Sequence, residues 1–166
     1  MTTPVLDPCC GPKMMWFDKN DARVTFGDIR EESVELCDGR MLTVIPDQVM
    51  DLRALPFPDD TFWHVVFDPP HLKRLGKDSW IAAKYGALLL SWREDLAEGF
   101  SECFRVLKPN GTLIFKWNED QIPVSDILAL TPHKPLYGHR SGRLSKTHWI
   151  AFIKDTARIA EGGNHA

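Results

Sequence analysis

Apolar positions fall along this chain in short runs set apart by turn-forming residues, and each run has the period of a strand or a helix. Pro4-Val5-Leu6 is a short apolar segment ending on Asp7, followed by the turn-rich stretch DPCCGPK. Residues 23–26 (RVTF) read as a second strand that stops at Gly27-Asp28. ESVELCDGRMLTVI predicts two short strands around Asp38-Gly39, a favoured hairpin turn pair. Residues 48–51 predict a further short strand, and residues 62–67 a central one that runs into Asp68-Pro69-Pro70-His71. Between Ser91 and Leu107 the apolar positions Trp92, Leu96, Phe100, Cys103, Phe104 and Leu107 have helical spacing with charges between them. KPNG (108–111) breaks that helix, and residues 112–117 (TLIFKW) form the next strand. A short helix is expected over 124–130. Residues 135–137 and 148–153 are expected to pair as a terminal antiparallel hairpin across the loop GHRSGRLSKT.

Strands alternating with helices predict an α/β fold with a mostly parallel sheet. The chain has 166 residues, enough for one domain with a full core. A single domain over 1–154 is expected, with 155–166 as a polar C-terminal tail. In such sheets ligands bind beyond the carboxyl ends of the strands. Asp7, Asp28, Asp51 and Asp68 all close predicted strands. Each alone is a cap or turn residue; four at one edge point to a polar, donor-rich ligand.

Composition narrows the function classes. Charged residues make up 26% and the net charge is −3, which argues against a protein that grips duplex DNA by charge alone. The charge is uneven, because 132–154 holds Lys134, Arg140, Arg143, Lys146 and Lys154 and no acid. That stretch is either a local cationic surface or a solvated loop. No apolar run is long enough for a bilayer, and MTTPVLDPCCG lacks the regions of a signal peptide, so a cytoplasmic location is expected. Cys9, Cys10, Cys37 and Cys103 form no disulfide framework in a chain of this size, and no CxxC spacing supports a zinc site, so no metal is expected. Pro8-Cys9 follows the first strand, where a cytosine-C5 nucleophile would follow the fourth. Buried small residues are the better reading.

These segments resemble a class I S-adenosylmethionine-dependent methyltransferase from Val5 to about Lys154, a Rossmann-like sheet ending in an antiparallel hairpin. VLDPCCG resembles the first-strand motif that cradles the methionine end of the cofactor. Asp28, closing RVTFGD, resembles the acid that takes the ribose hydroxyls, and Asp51-Leu52 resembles the pair beside the adenine ring. CFRVLKPNGTLIFKW resembles the helix, turn and fifth strand of this fold. S-adenosylmethionine is therefore the implied cofactor, with Asp7, Cys9, Cys10, Gly11, Asp28, Ile29, Arg30, Asp51, Leu52 and Asp68 as its expected contacts. The loop departs from the pattern in having one glycine, Gly11, followed by Pro12. The nicotinamide-binding Rossmann fold is a looser likeness, and GxGxxG is absent.

Asp68-Pro69-Pro70-His71 resembles the catalytic motif of amino-methyltransferases acting on adenine N6, in which the fourth residue is Tyr, Phe or Trp. An exocyclic amine is a poor nucleophile because its lone pair is delocalised into the ring. A carboxylate and a backbone carbonyl accepting its two N–H bonds turn the lone pair outward, and two prolines fix that carbonyl. The fourth residue stacks on the base. His71 can stack, with less area than tyrosine, and it can also titrate. The expected substrate side adds Lys73, Arg74, Lys116, Trp117, His139, Arg140 and Arg143, while Lys77, Trp80, Lys84, Tyr85 and Tyr137 interleave further cations and aromatics, a mixture that suits unstacked nucleic acid. Trp80, Tyr85 and Trp117 fit a packing role equally well. The implied activity is methylation of adenine N6 in DNA or RNA, in the manner of small phage or prophage members. Nucleic acid would be the substrate, no membrane is involved, and a homodimer or partner subunit would supply target recognition. The alternatives are a methyltransferase for a small molecule or a protein amine, and an inactive cofactor-binding module.

Overall fold

In the computed structural model, residues 3–36, 38–72, 88, 90–142 and 144–155 are described. Among them lie strands β1 (Val5–Asp7), β2 (Val24–Asp28), β3 (Glu32–Glu35), β4 (Met41–Val44), β5 (Gln48–Val49), β6 (Phe62–Phe67), β7 (Leu107–Asn118), β8 (Tyr137–Arg140) and β9 (Thr147–Ile153), and helices α1 (Trp92–Val106) and α2 (Val124–Leu128). Seven strands make one sheet in the order β5-β2-β1-β6-β7-β9-β8. The first five run parallel; β9 is antiparallel to β7, and β8 to β9. β3 and β4 form a separate antiparallel hairpin around the Asp38-Gly39 turn. This is the α/β sheet that the alternating pattern predicts.

β1 is flanked by β2 on one side and β6 on the other, so the strand order reverses there. Neighbouring connections leave in opposite directions at such a point and open a crevice beyond the strand ends. α1 covers one face of the sheet through Leu96, Phe100, Cys103 and Phe104, the apolar stripe read from the sequence. Phe100 meets Phe67 edge-on at 5.1 Å and Phe115 at 5.0 Å. All three rings are fully buried, and burial of each contributes about 1.5–3 kcal/mol. Gly99 lets the helix sit close: a Cβ there would stand 2.3 Å from Leu52 Cδ1 and 3.1 Å from Phe67 Cζ.

Several boundaries differ from expectation: β5 stops early at Val49 and α2 at Leu128, and three further differences have a physical reason. Gly27-Asp28 does not end β2 but completes it, pairing with Gln48-Val49. A side chain at 27 would collide with Met50, 2.4 Å from its sulfur, so the glycine permits packing here instead of breaking the strand. The KPNG turn survives only as a bulge at the start of β7. Phe62 pairs with Leu107 and His64 with Thr112, which puts 108–111 outside the ladder. Pro109 has no N–H to give, and Asn110 holds a positive φ of 63°. Gly138, His139 and Arg140, expected in a loop, belong to β8, and the connecting turn shrinks to 141–146. β8 is an edge strand with all four residues exposed, so it has no apolar alternation to read. The expected tail from 156 onward lies outside the described residues.

Candidate active site

The loop after β1 is built around Asp7. One carboxylate oxygen accepts the Cys9 N–H at 3.2 Å and the other the Trp16 indole N–H at 2.8 Å. Burial pushes the Asp7 carboxyl up to about 7, against the lowering effect of those two bonds. Asp7 therefore braces the loop from behind and does not line the cavity in front of it, which corrects its expected role as a direct cofactor contact. The Cys10 N–H donates to the Gly27 carbonyl at 2.8 Å. Gly11, with φ 50°, then donates its N–H to Asp28 Oδ2 at 2.9 Å. One glycine suffices because Lys13 takes the second positive φ, 54°.

A cavity of about 290 Å³ opens in front of this loop. It is lined by Cys9, Cys10 and Gly11 after β1, by Asp28 at the end of β2 with Ile29 and Arg30 beyond it, by Asp51 and Leu52 after β5, and by Asp68 after β6. Every expected cofactor residue except Asp7 is thus brought together. Asp28 also accepts the Arg30 N–H and Nε–H at 3.0 and 3.2 Å. Asp51 is held by Arg53, whose hydrogen bonds keep its carboxyl below the usual range. Sequence reasoning missed Met14, Met15, Met50, Arg53, Asp95 and Leu96, which also line the cavity. The Met14-Met15 pair beyond the loop and the acid in the first turn of α1 were the available signals.

Asp68 is buried where β6 ends. Lys116, one strand across, donates to its Oδ2 at 2.7 Å. Burial pushes the Asp68 carboxyl up, while the charge and hydrogen bond of Lys116 pull it down. A second cavity, about 490 Å³, lies on the other side of this pair. Its walls are His71 and Leu72 beyond Asp68, Asn118 and Asp120 at the end of β7, and residues 144–147 of the hairpin turn. Asp68 and Lys116 are the residues common to both cavities. Burial and the nearby Lys116 charge push His71 down to about 4, against a hydrogen bond to the Pro69 carbonyl, so its imidazole is neutral at pH 7. Asn118 donates to Thr147 Oγ1 at 3.1 Å and accepts the Asp120 N–H at 2.9 Å, and Lys146 pairs with Asp120 across the mouth. Asn118, Asp120 and Thr147 were also missed, while Lys146 is part of the basic stretch; nothing in their spacing marks the three, because the hairpin brings them together.

The remaining expected substrate contacts fare differently. Trp117 is fully buried, stacks on Phe115 and donates its indole N–H to the Ile122 carbonyl at 3.0 Å, so it serves packing and presents no surface to a substrate. His139 and Arg140 lie on the edge strand beside a separate cavity that shares no described residue with the other two. Arg140 donates to Glu119 at 2.6 Å. Lys154 is likewise bound to Asp60, so Arg140, Lys146 and Lys154 are each paired with an acid from outside 132–154. Lys73, Arg74, Lys77, Trp80, Lys84, Tyr85 and Arg143 lie outside the described residues, as does Cys37. Burial raises the thiols of Cys9 and Cys10, the latter to about 12, which keeps them protonated. Among the described residues no group of three His, Cys, Asp or Glu is placed to hold a metal ion, and no helix is long and apolar enough to cross a membrane.

No protein-family model matches this chain, and no curated protein does. Solved structures do. A protein of Pyrococcus horikoshii superposes with a TM-score of 0.59 at 18% identity, over 90% of this chain and 80% of its own. An S-adenosylmethionine-dependent methyltransferase from Methanosarcina mazei gives 0.58 at 14% identity, over 91% and 92%. The 1,6-didemethyltoxoflavin-N1-methyltransferase of Burkholderia thailandensis, solved with 1,6-didemethyltoxoflavin and S-adenosylhomocysteine bound, gives 0.52 at 15% identity, over 91% and 70%. At such identities the likeness establishes the fold: a Rossmann-like methyltransferase sheet with its C-terminal antiparallel pair.

Proposed function

We propose that this chain binds S-adenosylmethionine in the first cavity and transfers its methyl group to an exocyclic amine in the second, with adenine N6 of DNA or RNA as the preferred substrate. One observation carries the reading: Asp68, at the head of Asp-Pro-Pro-His, stands where a cavity of the cofactor kind meets a second cavity. The residues present fit the cofactor. Asp28 can take a ribose diol once Arg30 Nε yields its place on the carboxylate. Met50, Leu52 and Leu96 offer an apolar wall for adenine, and the turn at Gly11 brings backbone to the cavity. When bound, S-adenosylmethionine supplies a methyl group on a positively charged sulfur.

The chain's own residues prepare the acceptor. The Asp68 carboxylate accepts one amine N–H and the Pro69 carbonyl the other, so the nitrogen lone pair is released from the ring. His71 now holds that carbonyl, and it yields the place as it turns to stack on the incoming base. A neutral imidazole stacks without repelling the sulfonium. The nitrogen would gain its bond to the methyl carbon as that carbon's bond to sulfur breaks, the sulfur keeping the electron pair, and would then lose a proton, for which Asp68 is the adjacent acceptor.

The test is transfer of labelled methyl groups to double-stranded DNA, single-stranded DNA and RNA, followed by nucleoside mass spectrometry. N6-methyladenine is the expected product. Its absence from all three polymers, with cofactor binding shown by calorimetry, would sink the nucleic-acid reading. A small planar amine is then the second reading, unless the chain binds the cofactor without transferring its methyl group at all. The pairing of Arg140, Lys146 and Lys154 with acids favours that second reading, since it leaves less positive charge for phosphates.

A further inference from the structure

We infer that Lys116 is a positioning residue for methyl transfer: its ion pair fixes the Asp68 carboxylate between the two cavities, and it acts through Asp68 rather than by gripping the substrate. The inference rests on the reading that Asp68 receives the amine. It changes the role expected of Lys116 from its sequence position alone.

The sheet sets up the pair. β6 and β7 run parallel, and their last paired residues are Phe67 and Phe115. Asp68 follows directly on the end of β6 and Lys116 is the next residue along β7, which continues to Asn118, so the carboxylate leaves the sheet beside a lysine still held in it. Phe67 and Phe115 are buried against α1, and alternation turns Asp68 and Lys116 away from that core. The lysine stem is confined as well. Lys116 pairs with Trp149 on β9, and its ammonium lies 5.5 Å from the centre of that ring. The side chains are 5% exposed for Asp68 and 18% for Lys116. A carboxylate so buried demands a fixed partner, or it takes up a proton and turns from acceptor to donor.

The other ionisable groups around Asp68 do not substitute for Lys116. Asp7 from β1, Asp95 from α1 and Asp120 beyond β7 are acids and offer no positive charge to Asp68. Cys9 is held protonated by burial, and His71 is neutral at pH 7. Lys146 is paired with Asp120, while Arg30 and Arg53 are paired with Asp28 and Asp51. Among the described residues Lys116 is the cation bonded to Asp68. Without it an amine would meet a protonated Asp68, and the N–H acceptor that the reaction needs would be missing.

The experiment compares wild type with Lys116→Met and Lys116→Arg in two measurements. The first is a 13C NMR titration of the aspartate carboxyls without substrate, with Asp68→Asn assigning the signal. The second is the pH profile of kcat and KM on whichever amine the wild type methylates. Lys116→Met should move the Asp68 midpoint up by a unit or more. It should lower kcat at pH 7 roughly tenfold, recover as pH rises, and leave KM for S-adenosylmethionine in place. Lys116→Arg should restore both the midpoint and most of the rate. If Lys116→Met does not fold, Lys116→Gln carries the same titration. An unmoved midpoint in an active enzyme overturns the inference alone, and so does a rise in acceptor KM with kcat unchanged. A moved midpoint in a wild type that methylates nothing overturns the proposed function, and the catalytic part of this inference with it.

Discussion

The two cavities that meet at Asp68 are built in different ways. The first is made by strand ends and the short loops that leave them: Cys9-Cys10-Gly11 after β1, Asp28 closing β2, Asp51 after β5 and Asp68 after β6. Backbone N–H groups and neighbouring arginines already orient its acids, as with Gly11 on Asp28 and Arg53 on Asp51. The second is bounded by residues 144–147 of a hairpin turn, with an exposed ion pair, Lys146 to Asp120, among its walls. A parallel sheet fixes the first shape to within the stiffness of its own ladder. The second depends on contacts that solvent weakens, so it can be remodelled for a different acceptor without disturbing the first.

If this contrast holds, variants should separate cleanly into those that stop chemistry, those that loosen the cofactor and those that alter only the acceptor. Asp68→Asn should have the largest effect, a fall in kcat of about a hundredfold or more with S-adenosylmethionine affinity retained, read by calorimetry beside a transfer assay. Asp28→Ala should weaken S-adenosylmethionine roughly tenfold to a hundredfold, since it removes charge-assisted bonds and frees the loop at Gly11. A matching loss of acceptor binding would break the comparison.

Asp7 supplies a pH test of the brace beneath the first cavity. Its folded carboxyl titrates near 7, against the ordinary 3.8. Between those values the unfolded chain has lost the proton and the folded one keeps it. Stability should therefore fall as pH rises from about 4 to about 7, by a few kcal/mol, and level off above. Asp7→Asn should flatten that slope in urea unfolding at a series of pH values. Lys146→Ala should do least: within about 1 kcal/mol in stability, a few-fold rise in acceptor KM, and cofactor affinity unmoved.

The difference between the cavities also explains what could be read from the sequence. A strand that ends on an acid carries two local signals, apolar alternation and a carboxylate at its close, and Asp28 and Asp68 were legible for that reason, while Asp51 lies two residues beyond the short, exposed β5. Asp7 carried the same signals and turned inward, because Trp16, nine residues on, reaches back to claim it. Asn118, Asp120 and Thr147 had no local mark. Their proximity comes from the antiparallel pairing of β7 with β9, where Asn118 stands opposite Thr147. Trp117 misled for a related reason: strand alternation puts it on the same face as Phe115, and that face is core.

Gly99 has a practical consequence that reaches from the back of α1 to the first cavity. A single added methyl there presses on Leu52 and, less hard, on Phe67, and Leu52 lines the cavity. Residue 99 thus works as a set screw on the depth of a cavity that it does not itself line. Gly99→Ala should strengthen the isolated helix yet shrink the cavity, while Leu52→Ala should deepen it and give back the lost room.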